Sequence, residues 1–216
     1  MPPQDKDSKD RILDAAEELF ARHGFDGVTL RQIASLAGVD VALTNYHFGK
    51  KQALLSAVVA RRGALLNAAR LDALRFAEQV ASPKPAAIEQ IVEAFLQPLK
   101  IAQASTDKGW KHYCALIAYI NNSPVWGKTM MEQHFDDLIR EFTSAMQRTF
   151  PKACPEKIFW CYHQLSGALA LTFANTGRID SLSGGLCHSD DFEAAYQVMV
   201  PFISAGFRQL CSDQGA

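Results

Sequence analysis

Hydrogen-bonding side chains are concentrated between Thr29 and Lys51, a stretch with a single acid, Asp40. Thr29 and Gln32 have the spacing of a capping box, in which each side chain satisfies a free amide at a helix start. Ile33, Ala34 and Ala37 follow as a short apolar stripe, Gly38 suits a left-handed turn, and Asp40 suits the cap of a second helix. That second helix offers Val41, Leu43, Thr44 and Asn45 and ends in Tyr46, His47 and Phe48, with Lys50 and Lys51 beyond it. One helix that braces and a second, uncharged helix that presents short side chains is the pattern of a helix-turn-helix reading base edges. An ordinary helical hairpin inside a bundle is the plainer alternative.

Other chemistry finds less support. The five cysteines and six histidines include His112 with Cys114 and Cys161 with His163. Residues two apart on a helix point about 200° apart, so neither pair grips one ion from one face. No C-x-x-C or H-E-x-x-H spacing occurs, and the odd cysteine count with Cys154, Cys187 and Cys211 scattered disfavours a disulfide framework. We therefore expect no metal site and no cofactor. A phosphate-cradling glycine loop is missing, and Ser166-Gly167 lacks the preceding glycine of a nucleophile elbow. No catalytic residue is assigned, and an enzyme acting on an acyl or aromatic compound, or a helical interaction protein without DNA affinity, is the rival reading.

The elements that would position the Thr29–Lys51 stretch are helical. Ile12, Leu13, Ala16, Leu19 and Phe20 recur at helical spacing with Asp14, Glu17 and Glu18 opposite, and His23-Gly24 closes that helix. Residues 1–10 read as a disordered arm. Past Gly49 the pattern predicts a long helix through Leu54, Val58, Leu66 and Leu74 that ends before Ser82-Pro83 and couples the first segment to the rest. Further helices are expected near residues 85–99, with Pro98 a point of kinking, then 107–121, 124–149, 156–176 and 190–210. A glycine- and serine-rich loop, Ser181 to Gly185, separates the last two. The expected fold is all-α with about nine helices. A three-helix helix-turn-helix head (residues 1–50) would sit on a helical body (51–216).

The quoted spacings resemble the TetR family of transcriptional regulators. The resemblance rests on Arg11-Ile12-Leu13, Ala15-Ala16, Leu19-Phe20, Gly24, Thr29, Ile33-Ala34, Ala37-Gly38-Val39, Tyr46-His47-Phe48 and Lys51 with Leu54. It implies a homodimeric regulator, usually a repressor, that leaves an inverted-repeat operator in double-stranded DNA when a small molecule occupies the body. Carried over residue by residue, Arg31, Val41, Leu43, Thr44 and Asn45 would face bases, and Thr29, Tyr46, His47 and Lys51 would hold phosphates. Asp40, Ala42, Thr44 and Asn45 depart from the residues common in the family, so the operator is this chain's own. The run Asn45-Tyr46-His47-Phe48-Gly49 is similar to a branch that includes fatty-acid-responsive repressors.

The body offers two further surfaces. Phe95, Leu99, Trp110, Tyr113, Cys114, Ile117, Met130, Met131, Phe135 and Leu138 would line an apolar chamber for an acyl or aromatic effector, with His134, Tyr113 and Asn121 orienting a polar end. Such stripes also make ordinary core. The last two helices are apolar nearly all round, which implies burial on every side. Phe159, Leu165, Leu169 and Phe173 on one, with Tyr196, Phe202 and Ile203 on the other, would form a two-fold dimer interface. A buried hairpin within one chain is the alternative.

Charge and hydropathy agree with this organisation. The net charge is −1 over 216 residues. Between Thr29 and Arg62 there are five basic residues (Arg31, Lys50, Lys51, Arg61, Arg62) against Asp40, so a basic tip would sit on a nearly neutral body. No apolar run approaches the ~20 residues of a membrane span, and the N-terminus is charged rather than signal-like. A cytoplasmic protein without a membrane partner is expected.

Overall fold

The computed structural model describes residues 7–212. Within them there are ten α-helices and no strand: α1 (Ser8–His23), α2 (Leu30–Ala37), α3 (Val41–Phe48), α4 (Lys51–Ala81), α5 (Ile88–Ala104), α6 (Gly109–Asn121), α7 (Gly127–Thr149), α8 (Pro155–Ala174), α9 (Arg178–Leu182) and α10 (Phe192–Cys211). The all-α expectation holds. The additional helix is α9, which lies between the last two expected helices and overlaps the first two residues of the Ser181–Gly185 loop. Asn175 (φ 42°) and Gly177 (φ 69°) both take left-handed backbone, which stops α8 and lets a new short turn begin. Asp180 then anchors the segment by accepting a 2.9 Å bond from the amide of Ser189.

The expected arm over residues 1–10 needs correcting where it is described. Ser8, Lys9 and Asp10 form the first turn of α1, with the amide of Arg11 bonded to the Asp7 carbonyl at 3.0 Å. Asp10 in that turn sits favourably against the positive end of the helix dipole. Residues 1–6 of that expectation lie outside the described residues.

Two apolar cores share the chain. The first gathers Ile12, Phe20, Ile33, Leu54 and Val58 from α1, α2 and α4, and is closed by Leu116, Ile120, Met130 and Phe135 from α6 and α7. Phe25 packs against Trp126 with ring centroids 4.5 Å apart and the planes tilted by 56°, which presses the α1–α2 loop onto the start of α7. The second core lies in the body, around Leu96, Phe142, Ile158, Leu165 and Phe207. Helix α4 serves both, and its 31 residues span about 46 Å at 1.5 Å per residue.

Charged residues also tie α1 to α4 and to the segment before α6. Glu17 is 1% exposed and not on the outer face where it was expected: four residues after Leu13 and three before Phe20, it lies on the inward stripe of α1. Arg61 reaches Asp14 at 2.7 Å and Glu17 at 3.0 Å, while Arg62 reaches Glu17 at 2.8 Å and Asp107 at 2.7 Å. Burial raises the Glu17 carboxyl above its ordinary value, against the pull of Arg62 and Arg61. Arg61 and Arg62 are thus neutralised by internal partners and add little to a basic tip.

Candidate functional site

Local sequence builds the helix-turn-helix as expected. The Thr29 amide donates to Gln32 Oε1 at 2.7 Å and the Gln32 amide donates to Thr29 Oγ1 at 3.3 Å, completing the capping box of α2. Gly38 takes φ 64°, ψ 40°, a left-handed conformation that a side chain would strain, and turns the chain into α3. Asp40 Oδ1 then accepts from the Ala42 amide at 2.7 Å. Ile33, Ala34 and Ala37 face inward.

With that face buried, the opposite one is available. Thr29, Arg31, Asn45 and Tyr46 are exposed, Tyr46 by 83%, and Leu36 is 51% exposed beside them. Val41, Leu43 and His47 are half-buried, with His47 Nε2 3.5 Å from Ser8 Oγ. The expected set needs two corrections. Thr44 does not face outward: it is fully buried, with its hydroxyl lacking a partner. It holds the one inward position of α3, where side chains three and four residues apart share a face. Lys51 is also not free. Its Nζ donates to the carbonyls of Phe25 and Val28 at 2.8 Å each and lies 4.1 Å from the centre of the Phe25 ring. It fastens the start of α4 to the loop after α1. Two exposed cations near this face, Lys50 at the N-cap of α4 and Arg11 beside Gly38, were not assigned to it from the sequence.

In the body, α4 to α8 line a narrow chamber with a cavity volume of about 60 Å³, partly open to solvent. Phe95, Leu99, Tyr113, Cys114, Ile117, Met131 and Phe135 line it, as does Asn121. Trp110 and His134 do not. Trp110 stands edge-on to Tyr113 and packs under the Arg62 guanidinium, on the side towards α1. His134 turns to α4, with Nε2 3.0 Å from Ser56 Oγ, and burial lowers its imidazole below the ordinary value. Met130 belongs to the first core and Leu138 to the second.

The sequence reading missed Arg70, Tyr162 and Ser166 on the chamber wall. Arg70 was detectable, since Val58, Arg62, Leu66, Arg70 and Leu74 recur every four residues. An arginine four residues from an apolar neighbour on each side lies on a buried stripe. Burial pushes the Cys114 thiol up to about 12, so it is an inert lining group rather than a nucleophile.

The α8–α10 surface also divides differently from expectation. Leu165, Leu169, Tyr196 and Ile203 are buried within the single chain, and Phe173 packs on Phe192 at 5.4 Å. These residues stack α8 and α10 on the body core. Phe159 and Phe202 stay 56% and 72% exposed, joined on the outer faces by Trp160, Leu171 and Val198. Cys161 and Cys211, distant in sequence, meet with sulfurs 3.9 Å apart. Among the described residues no three metal-ligating side chains come together, and no helix is long and apolar enough to cross a membrane.

Comparison with known proteins agrees with this geometry. Residues 12–58 match the bacterial regulatory proteins of the tetR family, and residues 93–206, more than half the chain, match the tetracyclin repressor-like C-terminal domain. The transcriptional regulatory protein RaaS of Mycobacterium tuberculosis is 57% identical over 47 residues, 22% of each chain. The transcriptional repressor AcnR of Corynebacterium glutamicum is 36% identical over 73 residues, 34% of each chain. The chain thus spans about a fifth to a third of these relatives, mainly the head. In structure it is similar to SmeT, repressor of a Stenotrophomonas maltophilia multidrug efflux pump (TM-score 0.61, 18% identity, 94% of this chain and 90% of that one). It is also similar to the fatty acid degradation regulator FadR of Bacillus halodurans (TM-score 0.55, 15% identity, 91% and 96%). With both its head and its body matched, the chain belongs to the TetR family.

Proposed function

We propose that this protein is a homodimeric, cytoplasmic transcriptional regulator. It acts as a repressor that leaves an inverted-repeat operator when a small apolar or amphipathic ligand fills the body. The observation that carries this reading is the capped helix-turn-helix, whose exposed face is uncharged and hydrogen-bonding along α3 and rimmed by cations. Residues 1–50 serve as the DNA-binding head and 51–216 as the ligand-binding and dimerisation body. Arg31, Val41, Leu43 and Asn45 contact bases, and Thr29, Tyr46 and His47 contact phosphates. Lys50 takes the phosphate role that the sequence suggested for Lys51, helped by the amides at the start of α4.

The exposed Phe159, Trp160, Leu171, Val198 and Phe202 on α8 and α10 support the dimer, since apolar side chains gathered on one surface mark an interaction site. Two-fold symmetry then matches the operator's inverted repeat. Helix α4 and the Glu17–Arg62–Asp107 ion pairs connect chamber and head. A ligand with unequal affinity for two head spacings shifts the equilibrium between them. Electrophoretic shift with the gene's own upstream DNA tests the reading: a saturable complex resisting excess random duplex is expected. Binding that random duplex abolishes equally well would refute it.

A further inference from the structure

The chamber wall contains a cation with no anion beside it among the described residues. Arg70 lines the cavity from α4 and is only 5% exposed. Its Nε donates to the carbonyl of Phe95 at 2.8 Å, and its guanidinium lies 4.0 Å from the centre of the Phe95 ring. The titratable groups that face it are the side chains of Tyr113, Tyr162 and Cys114, none of them a carboxylate. A guanidinium has five N–H donors in a fixed fork, so most of its hydrogen-bonding capacity remains available. Taking an ion out of water without a counter-charge is strongly unfavourable. Arginine does not escape by losing its proton: burial lowers Arg70 only to about 10, which leaves it charged at neutral pH.

The wall around Arg70 carries few other polar groups. Tyr113, another wall residue, has its hydroxyl buried beside Gly63 of α4 with no hydrogen-bond partner. Tyr162 and Ser166 add hydroxyls on the α8 side, where Asn121 Nδ2 lies 3.4 Å from Ser166 Oγ. The remaining wall, including Leu66, Leu99, Ile139 and Phe173, is apolar.

We infer that the chamber takes a ligand with one compact anionic group, a carboxylate seated on Arg70, and an acyl or aryl remainder against the apolar wall. A carboxylate matches the guanidinium fork with two parallel hydrogen bonds. A polyphosphate would bring charges that a single arginine leaves uncompensated, and an amine would add a second buried cation. The inference rests on the proposed regulator reading for its biological meaning, though not for the binding itself.

The test is isothermal titration of the full-length, DNA-free protein at neutral pH. The probes are octanoate and 3-phenylpropanoate, each paired with its primary amide and its primary amine. At least one acid should bind, its amide should bind at least about tenfold more weakly, and its amine should not bind. Arg70→Met should erase the preference for acid over amide, while Arg70→Lys should keep part of it. Amides or amines that bind the parent protein as well as the acids would overturn the inference, as would acids that do not bind at all. These comparisons need no variant to fold. Retention of the acid preference in both substituted proteins, each folded by circular dichroism, would overturn it too. A mobility shift on the same samples separates the two proposals. Arg70-dependent acid binding without specific DNA binding would sink the regulator and keep the carboxylate site, and specific DNA binding without an acid preference would do the reverse.

Discussion

Replacing Lys51 should cost stability rather than DNA contact, contrary to what its position after the second helix of the motif suggests. In Lys51→Met the stem and helix propensity are conserved, so the change removes the charge and its bonds. The ammonium makes two 2.8 Å bonds to the Phe25 and Val28 carbonyls. Hydrogen bonds with a charged partner contribute about 1.5–3 kcal/mol each, and partial exposure of the site argues for the low end of their sum. The contact with the Phe25 ring adds about 0.5 kcal/mol at such a site. The expected loss is about 3.5 kcal/mol of unfolding free energy, read by urea denaturation followed by circular dichroism. Fluorescence anisotropy with an operator duplex between about 50 and 200 mM salt gives the second readout. The slope of log K against log salt should be unchanged in Lys51→Met. In Lys50→Ala it should become shallower by about one unit per head, with stability intact. A Lys51→Met protein within about 0.5 kcal/mol of the parent and with the shallower slope would refute the reasoning.

Arg31→Ala should weaken operator binding by about 1–3 kcal/mol and relax the preference at one position per half-site, read by anisotropy on single-base variants of the duplex. Thr44→Val exchanges a buried, partnerless hydroxyl for a methyl and should stabilise the head by about 1 kcal/mol in urea titration, without altering base preference. Phe202→Asp places a charge on the exposed face of α10 and should give a folded monomer that no longer binds operator, whereas Ile203→Asp, inside the chain's own core, should unfold it; sedimentation and circular dichroism distinguish the two. Burial lowers His112 and His134 from the ordinary 6.5, so the native state favours their neutral forms. Their contribution is present above 6.5 and is lost as pH falls through the lowered native values, and His134→Gln should flatten part of that acid-side decline in thermal unfolding.

What the sequence made legible was local. The capping box of Thr29 and Gln32, the turn at Gly38 and the Asp40 cap depend on residues at most four apart, so spacing suffices to read them. Apolar periodicity likewise located every helix but α9 and part of the chamber wall, Phe95, Leu99, Tyr113, Ile117, Met131 and Phe135 among it, while Trp110 and His134 turned elsewhere. Partition of a helix that is apolar on every side was a different matter. On α8, Leu165 and Phe159 are equally hydrophobic, and only the packing of α8 against α6 and α10 decides which is buried. Residue type also misled where tertiary contacts override it. Thr44 is polar yet holds the inward position of α3, and Lys51 is charged yet caps two carbonyls. Glu17 and Arg70 look solvated on their own, but each lies on an apolar stripe, Glu17 between Leu13 and Phe20 and Arg70 between Leu66 and Leu74. A charge in that position implies a buried partner, as Arg62 is for Glu17, or room for one.

Selection from a random-sequence duplex library with the full-length protein shows whether the exposed face of α2 and α3 reads DNA as a two-fold pair. Enrichment of an inverted repeat bound by one dimer is expected, with enrichment at one position of each half-site lost in Arg31→Ala. A library that returns without any enriched sequence, or a selected site that is asymmetric and bound by a single chain, would contradict that reading.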